Sequence, residues 1–292
     1  MEAIKLHLPE KRLKLAPIGD IQYGAQGCDL GKLARHIAFG KRKGWRFLGM
    51  GDYIDVFSPS NRQEMMRAYA GMYESPKEMI DEAVLGLTNT LFEKALKPSV
   101  GKWLGLLEGH HYAEFADGSS TDHYLTQLLQ SNFLGTTGFI HIYLADCPVP
   151  LRIWCTHGSG SSVTTAGKMP HMERAGFDFE ADIYLEGHIH RKFGIPLDTL
   201  KAVDFPPGHE ATKPIRAEGT EDIHIAHTTK LLAFTGSFLR GWFQGSESPA
   251  GYSRGSYAEQ KVMRTIPTGG LLITAEMIKE DWGWRPDIFV SS

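Results

Sequence analysis

The chain has 292 residues, with 31 Lys and Arg against 34 Asp and Glu; at a formal net charge of −3 it lacks the broad positive field that draws proteins to nucleic acid. Three widely spaced cysteines, Cys28, Cys147 and Cys155, exclude a disulfide framework and a Cys-rich zinc site, so any metal must be held by carboxylates and some of the 13 histidines. A hydrophobic share of 42% suffices for a sizeable core, while no apolar run approaches the ~18–20 residues of a membrane span.

Near the N-terminus, charges and Pro9 interrupt the chain before an apolar run can form, which predicts a protein without a secretory signal, cytoplasmic and without a membrane partner. Apolar runs ending in Gly/Asp turns then alternate with segments of helical period, as in an α/β layer structure. In chain order the pattern predicts a strand over 13–18, a helix over 29–40, a strand over 45–50 and helices over 62–72 and 76–95, the last with Pro76 in its first turn. A strand over 103–107, a helix over 121–129 and strands over 139–144, 151–155 and 183–185 follow. From about residue 195 the texture becomes β-rich, with runs over 223–226, 231–234 and 271–275; the Gly/Ser-rich stretch 241–255, bearing Trp242 and Tyr252, reads as a long loop. No linker or repeat interrupts the pattern, so residues 1–292 are read as one domain.

Five short polar motifs stand directly after five predicted strands: Gly19-Asp20-Ile21-Gln22, Gly51-Asp52-Tyr53-Ile54-Asp55, Gly109-His110-His111, Thr156-His157-Gly158 and Gly187-His188-Ile189-His190. In open α/β sheets the carboxyl ends of strands converge on one crevice, so these side chains can meet. Two aspartates and several neutral imidazoles gathered there make a cage for a pair of divalent cations.

The motif order resembles that of the calcineurin-like metallophosphoesterase superfamily across residues 13 to 192; any one block alone would be a weak signal. The fold implied is a two-sheet α/β sandwich flanked by helices, with the metals at strand carboxyl ends. By that resemblance Asp52 bridges two metals, Asp20 and His190 complete one site, and His157 and His188 serve the other. His111 takes the position of the catalytic histidine that assists the departing oxygen, and Asp55 orients it. Gln22 stands where the family usually has His, and His110 where it usually has Asn; both are taken as ligands. The amide oxygen of Gln22 is a hard, weak donor, which favours Mn over Zn, with Mg, Fe and Ni as other candidates.

Protein Ser/Thr phosphatases of the superfamily carry an Arg after the second block and a Glu after the catalytic His, where this chain has Val56-Phe57 and Tyr112. The resemblance therefore implies a different branch: a dinuclear enzyme hydrolysing a phosphate ester with a metal-bound hydroxide, a phosphodiesterase or nuclease on nucleotides or nucleic acid first. The alternatives are a small-molecule phosphomonoesterase and a degenerate, non-catalytic binding module of the same fold. The basic run Lys41-Arg42-Lys43 follows a helix end, where cations suit the helix dipole; a nucleic-acid patch with Lys32 and Arg35 is the lesser reading. His224 and His227 lie on a late strand that could approach the site, but a structural role is the favoured reading.

Overall fold

The computed structural model describes residues 1–57, 59–160, 165–204, 223–242, 259, 265 and 267–291. Its strands and helices alternate as β1 (Glu2–His7), β2 (Arg12–Ile18), α1 (Leu30–Lys43), β3 (Arg46–Gly49), α2 (Pro59–Ala70), α3 (Glu74–Leu91), β4 (Trp103–Leu106) and α4 (Thr121–Leu128). Then come β5 (Thr137–Tyr143), β6 (Leu151–Thr156), α5 (Thr165–Asp178), β7 (Ile183–Glu186), β8 (Lys192–Asp204), β9 (Ile223–Ser237), β10 (Gly269–Gly270), β11 (Leu272–Glu280) and β12 (Gly283–Ser291). Apart from Gly241 and Trp242, the loop expected over 241–255 lies outside the described residues.

Two sheets result. The five-stranded one runs β12-β11-β2-β3-β4, and the seven-stranded one runs β1-β5-β6-β7-β9-β10 with β8 also paired to β9. Period-2 patterning makes them a sandwich. Leu13 and Leu15 of β2, Leu104 of β4, Ile153 and Cys155 of β6 and Ile183 and Leu185 of β7 share one fully buried core between the sheets. Alternate residues face outward and are covered by helices. Ala16, Ile18 and Phe47 pack with Leu33 and Ile37 of α1, Leu91 of α3 and Leu125 of α4. On the other side Trp154, Tyr184 and Phe234 pack with Met172 and Ala175 of α5.

The α1 boundaries follow local chemistry. Asp29 accepts a hydrogen bond from the Lys32 amide at 3.0 Å as N-cap, and Gly44 ends the helix in the left-handed region at φ 72°. The basic residues 41–43 fill its last turn, so the helix extends past the expected residue 40. No helix among the described residues is long and apolar enough to cross a membrane.

What positions the site is strand direction. β2, β3 and β4 are mutually parallel, and so are β6, β7 and β9. The five polar motifs therefore leave the two sheets at carboxyl ends. His224 and His227 sit toward the start of β9, ten residues or more before Ser237 at its end; at ~3.3 Å per residue that is roughly 33 Å of strand, so they do not approach the motifs.

Candidate metal centre

The loop after β2 is fastened to the loop after β3 by backbone hydrogen bonds from Asp20 N to Gly51 O at 3.0 Å, from Ile21 N to Asp52 O at 2.9 Å and from Gln22 N to Asp52 O at 3.0 Å. The loop after β4 joins through Asp52 itself, whose Oδ1 accepts from the His110 amide and from the His111 amide at 3.1 Å. Gly109 permits this approach, because a Cβ there would lie 2.0 Å from Asp52 N and 2.2 Å from its Oδ1. The Gly-His-x-His loop closes the ring, with His188 N donating to Asp20 Oδ2 at 3.0 Å.

Backbone conformation marks the same residues. Among the described residues, seven non-glycines have positive φ, and five are Asp20 (48°), Gln22 (48°), Asp52 (54°), His188 (63°) and His190 (55°). Each such placement costs on the order of 1 kcal/mol or more for an L-residue, and strain of this kind persists where surrounding contacts hold it, commonly at functional sites.

The side chains form two overlapping groups whose ligating atoms lie within 4.8 Å of one another: His110, His157 and His188, and Asp20, Asp52 and His157. His157 Nε2 is 3.3 Å from Asp52 Oδ2, and its Nδ1 meets the Met50 carbonyl at 2.6 Å, which fixes the ring. His110 Nδ1 is 3.3 Å from His188 Nδ1, and His188 Nε2 is 3.0 Å from Gly160 O. His190 Nε2 lies 3.3 Å from Asp20 Oδ1 and 3.4 Å from Gln22 Nε2. His111 Nδ1 is bonded to Asp55 Oδ1 at 2.8 Å, and its Nε2 lies 3.9 Å from Asp52 Oδ2. All nine side chains named from the sequence thus take part in these contacts. His157 is the member shared by both groups, His110 joins His157 and His188, and Gln22 turns its amide nitrogen toward His190.

Three atoms show what the arrangement lacks. Asp20 Oδ1, Asp52 Oδ2 and His157 Nε2, on residues 0%, 1% and 1% exposed, are buried and make no well-directed hydrogen bond, meeting only the facing imidazole or carboxylate at 3.3 Å. Buried polar atoms are rarely left so, and carboxylate oxygens less still unless a cation satisfies them. The donor set of carboxylate oxygen, amide and imidazole suits Mn, Fe, Zn or Mg.

Charge is distributed accordingly. Burial raises the Asp52 carboxyl, but the His157 ring, then His111 and the His110 amide outweigh it and hold the group well below the usual carboxylate range. His157 is lowered by burial yet carried up to about 9 by Asp52 and then Asp20. Burial, with His157 beside it, pushes His110 down to about 4, and the same two causes lower His188. Burial also opposes charge on His190 and His111, which Asp20 and Asp55 respectively overcome. Two neutral imidazoles therefore face a pair of carboxylates, one form of donor each that a divalent ion takes.

The chain matches no family model and no curated protein. What the centre can do rests on its own geometry.

Several supporting residues carry no signal in the sequence. Arg62 of α2 donates to the His110 carbonyl and lies 3.9 Å over the Tyr112 ring. Lys168 of α5, only 5% exposed, binds the carbonyls of Ser159 and Gly160 beside His188. Ser237 Oγ donates to Asp20 O at 2.9 Å. Each is an ordinary polar residue on a helix or strand, brought to the loops only by the tertiary fold.

Asp122, 1% exposed at the start of α4, holds the loop after β4 by accepting from Gly109 N at 2.9 Å. Burial raises its carboxyl to about 7 from an ordinary 3.8, with Asp52 and Glu108 adding to the shift. A carboxyl raised in the folded state contributes stability fully below its unfolded value, and that contribution is lost as pH rises through the folded one. Asp122→Asn keeps an oxygen for Gly109 and removes the titration. The thermal midpoint of the variant, relative to wild type, is expected to rise between about pH 4 and 7, by the equivalent of on the order of a few kcal/mol. Parallel pH profiles for the two proteins would refute this.

Proposed function

We propose that the protein is a dinuclear metal-dependent phosphoesterase of the metallophosphoesterase type. The observation that carries this reading is the convergence of Asp20 Oδ1, Asp52 Oδ2 and His157 Nε2, all buried and unsatisfied, at strand carboxyl ends. Asp20, Asp52 and His157, with His110, His188 and His190, would hold two cations, Mn first given the nitrogen and oxygen donors. When bound, divalent cations supply Lewis acidity toward phosphoryl oxygens and make water a competent nucleophile near neutral pH.

The chain's own residues do the rest. Asp55 orients the His111 ring through Nδ1, so Nε2 points past Asp52 Oδ2 into the crevice. From there it donates a proton to the departing ester oxygen. Asp52 Oδ1, fixed by two backbone amides, cannot rotate away.

A diester is favoured over a monoester. The chain lacks the Arg and Glu that follow the second block and the catalytic His in the protein phosphatases, and Arg62 and Lys168 beside the loops are engaged with carbonyls rather than offered to the second charge of a monoester dianion.

The test is direct. Chelator-treated protein is expected to gain about 5 °C or more in thermal midpoint with Mn well above its dissociation constant, and to hydrolyse a generic aryl phosphodiester faster than the matching monoester. Faster monoester turnover would reverse the substrate ranking. Less than one equivalent of bound metal, with no hydrolysis in Mn, Mg, Zn or Ni, would leave a non-catalytic binding module.

A further inference from the structure

Beside the Asp20 and His190 side of the centre lies a second concentration of charge that the proposed chemistry does not use. Lys192 opens β8 two residues after His190, a span of at most about 7 Å of chain. Lys32 and His36 stand one turn apart on α1 and so share a face. Between them runs β10, paired with Gly236 and Ser237 at the end of β9.

The geometry is tight. The ammonium nitrogens of Lys32 and Lys192 each lie 3.9 Å from the point where a Cβ on Gly269 would sit, so they are no more than twice that distance apart. A Cβ on Gly270 would lie 3.6 Å from His36 Nε2 and 2.9 Å from Pro17 O. Gly269 has φ +119°, a conformation that L side chains rarely adopt, and a side chain there would meet both lysines. Lys32 Nζ donates to Thr268 Oγ1 at 3.0 Å, and no ion pair to a carboxylate forms at either lysine among the described residues. His36 Nε2 is buried without a hydrogen-bond partner.

Two like charges brought together next to an unsatisfied buried ring nitrogen are costly unless something with several acceptors joins them. A tetrahedral oxyanion has the right chemistry: it accepts from both ammonium groups and from a neutral imidazole N–H at once. Burial, then Lys192 and Lys32, push His36 down to about 4, which keeps that ring neutral and leaves it a single N–H to give.

We infer that Lys32, Lys192 and His36, arranged around Gly269 and Gly270, form an anion site that holds a second phosphoryl group of the substrate beside the metal centre. The substrate is then one with two phosphoryl groups a short distance apart, such as a 5′-phosphorylated dinucleotide or the adjoining phosphate of a nucleic-acid strand. Assigning the anion to the substrate rests on the phosphoesterase reading; binding of the anion itself does not.

The experiment has two arms. In the first, inorganic phosphate is titrated into the metal-free full chain under chelator while the His36 ring resonances are followed by NMR. Phosphate is expected to shift them, with affinity falling on the order of tenfold for each of Lys32→Gln and Lys192→Gln. In the second, the Mn-loaded protein is given a dinucleotide with and without a 5′-phosphate, and the ratio of kcat/KM values is compared between wild type and the double variant. Wild type is expected to favour the phosphorylated substrate at least tenfold, and the double variant to bring the ratio toward one. The inference is overturned if phosphate leaves His36 unmoved, if the double variant binds it as tightly, or if the ratio is the same in both proteins. Phosphate binding at His36 together with no hydrolysis in any metal would uphold the anion site and sink the phosphoesterase reading instead.

Discussion

Asp52→Asn is expected to lower phosphate-ester hydrolysis by on the order of 10³-fold or more and to erase the thermal stabilisation conferred by Mn, while the metal-free protein still folds. The argument is one of two oxygens with different duties. Oδ1 is committed to the amides of His110 and His111, so it sets the course of the loop that carries His111. Oδ2 is buried, unsatisfied and 3.3 Å from His157 Nε2. An Asn that keeps its oxygen on the two amides must turn its NH2 toward the position of Oδ2, placing a donor without a lone pair where a cation is needed. The opposite rotamer sets NH2 against two N–H groups and breaks the loop. Neutralisation also removes the charge that carries His157 to about 9, so the ring is left buried with less reason to hold a proton. Retention of hydrolysis within tenfold of wild type, or an undiminished Mn-induced rise in melting temperature, would show that Asp52 is no part of the centre.

How much of this was legible in the sequence depends on burial. β6 and β7 announce themselves because both faces are covered, so Leu151 to Thr156 and Ile183 to Glu186 read as short apolar runs. β1 does not, since Glu2, Ala3, Lys5 and His7 leave it mostly exposed along the edge beside β5. The long β8 is also largely exposed, and only its antiparallel register with β9 makes it a strand. The two late runs over 223–226 and 231–234 are one strand, β9, because nothing between them breaks the backbone pairing. α5 was missed because Pro170 stands inside it, a residue that ordinarily argues against a helix.

The centre was more legible than the fold around it, for a reason of topology. Once five polar motifs follow strands that run parallel within each sheet, their meeting place is largely set, whatever the intervening helices do. Which atom faces which is a different matter. His157 lies at the overlap of the two groups, held there by the bond from its Nδ1 to Met50 O, a backbone contact without a sequence signature. Asp122, Lys168, Arg62 and His36 were hidden likewise, each polar and unremarkable along the chain until the fold brings it to a loop.

His111→Ala is expected to reduce kcat by about 10²- to 10⁴-fold while leaving the metal content and the Mn-induced melting shift intact. His111 is half-buried, its Nδ1 spent on Asp55 and its Nε2 3.9 Å from Asp52 Oδ2, farther than His157 Nε2 at 3.3 Å. It belongs to neither group of converging ligands, so its loss removes a proton donor and not a donor to metal. Asp55→Asn tests the same arrangement one step removed. The Asn oxygen can still accept from Nδ1–H, but the charge that favours the protonated ring is gone, so a smaller loss on the order of 10- to 100-fold is expected. Leaving-group dependence separates this from a structural effect. Esters of poorly acidic alcohols need the proton, whereas aryl esters of acidic phenols depart without it, so both variants should lose most on the former. An equal loss on the two ester types, or a fall in bound metal that matches the fall in rate, would remove His111 from the proton-donor role and return it to the ligand set.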